Sequence, residues 1–138
     1  MKLYMKQKAF SWRDRFYVKD EDGTDKYFVE GEIFSWGKKL HVYDAQGTEV
    51  AFIRQKVMSL LLRYFVDIGG KEVCTVVQKF SLFKPKYAIE GLNWHMKGNF
   101  LAHEYVLTDG ARQVMQLSKK LRPFPYIASC NISLLIPA

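Results

Sequence analysis

The chain has 138 residues, 49% apolar and 25% charged, which fits one globular domain over 1–138, long enough to bury most of a core without disulfide staples. Its net charge of +7 invites polyanions, yet the tightest basic groups are Lys38-Lys39, Lys84 with Lys86, and Lys119-Lys120 with Arg122, too short for a basic tail. Cys74 and Cys130 have no C-x-x-C spacing, residues 1–8 lack the apolar core of a secretory leader, and no run reaches the roughly 18 apolar residues of a membrane span, so a reducing, cytoplasmic, at most peripheral membrane setting is expected.

Taken in chain order, strands are predicted over 2–7, 12–19, 26–35, 39–44, 48–56, 62–68, 71–79, 86–94, 99–107 and 111–119. Turn signals separate them at Asp20-Glu21-Asp22-Gly23, Trp36-Gly37-Lys38, Asp44-Ala45-Gln46-Gly47, Gly69-Gly70 and Thr108-Asp109-Gly110. Short strands at this spacing predict an antiparallel sandwich or barrel rather than βαβ units. Tyr64, Val66 and Ile68 alternate with Phe65 and Asp67, and Leu40 and Val42 with His41 and Tyr43, as strands buried on one face should. Val57 to Leu62 is the one candidate helical stripe, and it is too short to stand as a helix. Pro123 and Pro125 make residues 121–125 an irregular connector, and the apolar residues 127–136 are expected to close the fold as a strand or short helix.

The chain also repeats itself. Lys26-Tyr27-Phe28-Val29-Glu30-Gly31 recurs as Lys86-Tyr87-Ala88-Ile89-Glu90-Gly91 at an offset of 60. Ala45-Gln46-Gly47 is echoed by Thr108-Asp109-Gly110 at 63, and Ile53-Arg54-Gln55-Lys56 by Leu117-Ser118-Lys119-Lys120 at 64. Two β-meanders in one domain are predicted, in halves of about 1–80 and 81–138.

The chemistry-bearing residues form no catalytic or metal-binding pattern. His103-Glu104-Tyr105-Val106-Leu107 begins like H-E-x-x-H but has Leu107 where the second ligand must stand. His95 and His103 flank Lys97-Gly98, which reads as a hairpin, with no cysteine or carboxylate cluster beside them; no metal is expected. Nucleophile elbows, phosphate loops and dinucleotide fingerprints are missing too, so neither an enzyme nor a cofactor is expected. Glu30 and Glu90 tempt as a carboxylate pair, but each precedes a glycine in a repeated block, and the plainer reading is a bulge or close backbone approach. Cys74 reads as a buried thiol acting as a small hydrophobe. What remains is the mixing of tryptophans with cations. Trp36, Trp94, Lys38, Lys39, Lys84, Lys86 and Lys97 are the candidate contacts to an anionic lipid surface, with Trp12 and Arg13 of similar character. The rival readings are rings that close the barrel ends and, less favoured, stacking on single-stranded nucleic acid.

Within residues 26–56, the Tyr-x-Val-x-Gly core, the Trp36-Gly37 hairpin, the Val-Tyr-Asp-x-x-Gly turn and Ile-x-Gln-Lys together resemble the LURP-one-related family of the Tubby-like superfamily, beside Tubby C-terminal domains and phospholipid scramblases. Residues 86–120 resemble the matching half, and the likeness covers roughly 1–120. It implies an antiparallel Tubby-like barrel closed around an apolar C-terminal helix. Residues 121–138 depart from that pattern, being broken by proline and too short for a further hairpin and a full helix. A shortened or missing plug implies marginal stability, or a homodimer that covers the gap. The expected function is a non-enzymatic barrel binding anionic phospholipid, phosphoinositide or a protein; the alternative is a small-molecule carrier or enzyme using a cavity inside it.

Overall fold

The computed structural model describes residues 2–7, 15–82, 86–99, 104–120 and 126–131. Among them are twelve strands and no helix: β1 (Lys2–Gln7), β2 (Arg15–Lys19), β3 (Asp25–Gly31), β4 (Lys39–Asp44), β5 (Glu49–Gln55), β6 (Arg63–Ile68), β7 (Lys71–Lys79), β8 (Lys86–Glu90), β9 (Trp94–Asn99), β10 (Glu104–Asp109), β11 (Arg112–Lys120) and β12 (Tyr126–Asn131). Each strand pairs antiparallel with its neighbour in sequence, and β1 lies between β12 and β2, which closes an up-and-down barrel. The β1–β12 ladder runs from Lys2↔Asn131 to Gln7↔Tyr126, whereas among the described residues the β1–β2 seam holds Tyr4↔Lys19 and Met5↔Val18.

Cross-strand partners share a face, so the registers carry the inward set around the wall. Val29 stands opposite Val42, and Val42 opposite Ala51. Leu40, Ile53, Val66 and Cys74 make a second row, and Tyr64, Val76, Ile89 and Trp94 a third. The second and third rows meet in a cluster of Ile89, Leu107 and Val114, against which Cys74, Val76, Trp94 and Met96 pack. Burial is light: among the described residues Leu3, Val29, Val77, Ile89, Leu107 and Val114 are the buried apolar side chains, and none is fully buried. Register shifts at Val18/Lys19, Val42/Tyr43, Val66/Asp67 and Leu107/Thr108 all sit next to tight turns at one end, where bulges coil and curve the strands.

The outer face is tied by side chains. Arg54 reaches Asp67 (3.6 Å) and Glu72 (2.9 Å) while its guanidinium lies 4.5 Å from the Phe65 ring centre, joining β5, β6 and β7. Glu30 on β3 pairs with Arg15, and Glu90 on β8 with Lys79 at 3.0 Å, so the two repeated carboxylates sit apart in separate ion pairs.

The predicted strands are present, with two added. β9 lies where a Lys97-Gly98 hairpin was expected; the turn is instead at residues 91–93, where Gly91 (φ 98°) and Asn93 (φ 54°) take left-handed backbone. A Cβ on Gly91 would sit 2.9 Å from the Val73 carbonyl, the close approach expected of that glycine. β12 supplies the closing strand for 126–131, while residues 132–138, Trp12, Arg13, Lys84 and His103 lie outside the described residues. The echoes also separate. Ala45-Gln46-Gly47 and Thr108-Asp109-Gly110 mark hairpins six strands apart, β4–β5 and β10–β11, whereas Lys26–Gly31 is on β3 and Lys86–Gly91 begins on β8, five strands on. Those two matches therefore cannot belong to one superposition of the halves.

Gly98 lies opposite Tyr105, whose ring occupies the space a side chain would take: a Cβ there would be 2.4 Å from Tyr105 Cδ1 and 2.5 Å from the Glu104 carbonyl. Gly98→Ala is expected to lower unfolding free energy by about 1–3 kcal/mol in urea titrations, because backbone on one side cannot yield. An unchanged midpoint would mean the ring does not lie there.

Candidate functional site

In an up-and-down meander, alternate connections share an end. The connections at 20–24, 45–48, 69–70, 91–93 and 110–111 make one end of tight turns. Acidic residues shape it: Asp20 Oδ1 accepts the Asp22 and Thr24 amides, and Asp44 Oδ1 those of Gln46 and Thr48. The Thr24 amide, helped by Lys26, holds the Asp20 carboxyl below the usual carboxylate range.

The opposite end is built differently. Connections β3–β4 (residues 32–38), β5–β6 (56–62) and the start of β7–β8 (80–82) form a rim that carries Phe34, Trp36, Met58, Leu60, Phe80 and Leu82, each at least 79% exposed. Three neighbouring loops bearing six large, nearly bare apolar side chains exceed the scattered exposure normal for a soluble surface. Met58 adds backbone strain, since its φ of 57° is left-handed and costs roughly 1–2 kcal/mol for such a residue.

Two glutamines hold the loops in place. The Gln55 amide donates to the Lys38 carbonyl (2.7 Å) while its side-chain oxygen accepts from the Lys38 amide (3.0 Å). Gln78 repeats the device one loop further on, donating to the Leu62 carbonyl (2.8 Å) and accepting from the Leu62 amide (3.2 Å). Gly37 then lets the first loop close on the second, where a Cβ would stand 3.1 Å from Val57 Cγ2. Cations flank these loops: Lys38, Lys56, Lys86 and Lys97 are exposed, and no carboxylate among the described residues pairs with them.

Of the candidate contacts, Trp36, Lys38 and Lys39 come together at this rim, with Lys86 and Lys97 on strands leading to it. Trp94 stands apart, beginning β9 next to the turn end and packed on the Ile89 cluster. Phe34, Met58, Leu60, Phe80 and Leu82 were missed, as were Gln55 and Gln78. The one available signal was that loops one connection apart in a meander share an end, so their apolar residues accumulate there.

The first loop is anchored by His41. Its Nε2 lies 2.9 Å from Glu32 at the loop's start and its Nδ1 2.7 Å from Glu49 on β5, while Lys39 reaches the other Glu32 oxygen at 3.4 Å. The ring stacks on Phe52 at 4.7 Å and Tyr43 at 6.3 Å, and Glu30 is its strand partner on β3. Burial works against a charged ring, but the bonds from Glu32 and Glu49 outweigh it and raise the His41 pKa above 6.5. The His41 bond in turn holds Glu32 below its usual range. A raised histidine pKa stabilises fully below the ordinary value and is lost as pH rises through the folded one; the lowered Glu32 value acts oppositely, losing its share on acidification. His41→Asn is therefore expected to cost more stability at pH 6 than at pH 8 in urea unfolding, and an equal cost at both would contradict the double carboxylate bridge.

Comparison with known proteins adds the lineage. The profile of the LURP-one-related family matches residues 1–130. The Bacillus subtilis protein YxjI, itself uncharacterised, is 46% identical over 120 residues, covering 87% of this chain and 74% of that one. A crystal structure of an Arabidopsis thaliana protein aligns with a TM-score of 0.62 at 20% identity over 94% of this chain and 78% of its own, a likeness of fold. The chain belongs to the LURP-one-related family.

Proposed function

We propose that this domain is a non-enzymatic module that docks on anionic membrane surfaces through its loop rim, as a peripheral protein on the cytoplasmic side. The observation that carries the reading is the rim itself, with six bare apolar side chains on adjacent, hydrogen-bonded loops beside unpaired lysines. Full transfer of such a side chain from water is worth about 1.5–3 kcal/mol, and a lysine near an anionic leaflet about 1 kcal/mol. If about a third of the apolar transfer is realised and four lysines engage, the total is about 8 kcal/mol, a micromolar affinity. The acidic turn end supports one orientation, since it would be repelled by the same leaflet that attracts the rim.

The test is co-sedimentation with vesicles of phosphatidylcholine alone or mixed with phosphatidylserine. Binding is expected with the anionic vesicles only, falling as salt rises, and Phe34→Ser with Trp36→Ser should weaken it at least tenfold. Met58→Asn should weaken it as well while leaving stability unchanged or slightly improved, because asparagine tolerates left-handed backbone. Pelleting that ignores these substitutions, or none with either vesicle, would refute the reading. A wild-type dimer that rim substitutions dissociate, without vesicle binding, would assign the rim to a second copy of the chain.

A further inference from the structure

A cleft opens at the turn end, where β2, β3 and β4 run into their hairpins. Tyr17, Phe28 and Tyr43 are strand partners, one residue out of step with the inward Val29–Val42 row, so their rings stand on the outer wall. Ring centres lie 5.0 Å apart between Tyr17 and Phe28 and 6.4 Å apart between Phe28 and Tyr43. With Asp25, Tyr27, Asp44 and the turn at Ala45 and Gly47, these rings line a space of about 440 Å³, the scale of a small-molecule site. Tyr17 is 50% exposed, and Phe28 and Tyr43 are half-buried, so aromatic surface is left for a ligand to touch.

Aromatic rings beside carboxylates select a cation. Residues 19–26 and 44–49 carry six carboxylates and two lysines, on a chain whose net charge is +7. Both lysines are engaged, Lys19 with Asp25 and Lys26 with Asp20. Asp44 has no ion-pair partner among the described residues, and its Oδ1 already accepts the Gln46 and Thr48 amides, so its charge reaches the cleft mainly as a field. Phosphates and other anions are repelled by that field. Ring faces attract positive charge through their quadrupole but accept hydrogen bonds poorly. A primary ammonium pressed against them exchanges water for a weak acceptor, whereas a trimethylammonium has no N–H group to leave unpaired.

We propose that this cleft binds the trimethylammonium group of a small molecule such as choline, with the cation against the Tyr17, Phe28 and Tyr43 rings and beside Asp44. The site lies at the opposite end of the barrel from the apolar rim and shares no residue with it. A domain docked through its rim therefore presents the cleft to solution, open to a solute.

The full chain is titrated with choline, its uncharged carbon isostere dimethylbutanol, and ethanolamine, followed by calorimetry and by proton NMR of the ligand. Choline is expected to bind one-to-one with a Kd on the order of 0.1–1 mM, its methyl resonance moving upfield as it settles over the ring faces. The isostere, which lacks the charge, and ethanolamine, which lacks the methyl groups, should each bind at least tenfold more weakly. Tyr17→Leu keeps apolar bulk but removes a ring and should weaken choline at least fivefold, while Tyr17→Phe should stay within twofold. Asp44→Asn keeps an oxygen for the two turn amides and drops the charge, and should weaken choline at least threefold. If Tyr17→Leu fails to fold, Asp44→Asn and the wild-type methyl shift decide. Equal binding of the isostere or of ethanolamine, no heat or shift with choline at about 10 mM, or binding that both variants leave unchanged would overturn the proposal. Glycerophosphocholine bound as tightly as choline would place the source in lipid headgroups, and a preference for choline in a free solute; either outcome keeps the trimethylammonium site. Tyr17→Leu should pellet with anionic vesicles as the wild type does, so the cleft and the docking reading fail separately.

Discussion

Each ladder fixes which side chains look inward, and the rest of the domain depends on that alignment. Val29, Val42 and Ala51 share a face because their strands meet in one register, and a slip of one residue would turn Phe28, Tyr43 and Phe52 inward instead. The bulges complete the constraint. They sit beside the tight turns, so curvature is introduced at that end and the other is left to longer loops. A barrel with two unlike mouths follows from where its extra residues were placed.

That difference sets how charge and apolar surface are divided. The turn end spends its carboxylates on its own backbone, as Asp20 and Asp44 do. At the rim the backbone is satisfied by glutamine, which is neutral, so the flanking lysines keep their charge for something outside the chain. Holding exposed apolar residues on pre-ordered loops also lowers the entropic cost of engaging a surface, compared with the same side chains on slack loops.

Much of the fold was legible in the sequence. Turn pairs such as Gly69-Gly70 and Asp109-Gly110 punctuated it, and alternation in residues 63–68 put Tyr64, Val66 and Ile68 on one face and Phe65 and Asp67 on the other, as the ladders do. β9 was hidden because Gly91-Leu92-Asn93 does not look like a standard turn pair, while Gly98, which does look like a breaker, is needed inside the strand to seat Tyr105. Of the site, Trp36 and the neighbouring lysines could be named from their chemistry. Their apolar companions could not, because Leu60 and Phe80 are brought beside Trp36 only by counting strands correctly, and His41 shows its two carboxylates only once Glu32 and Glu49 are folded back on it.

The barrel closes by joining its first strand to its last. Because β1 must find β12, and among the described residues it pairs with β2 at two positions, the cylinder cannot shut while the polypeptide is still being made up to that point. A growing chain would present an open, curved sheet with its apolar face bare until β12 emerges from the ribosome, and such distant pairing is entropically slow to form. The interval before closure is when this domain is most exposed to misassembly with its own copies and to capture by chaperones.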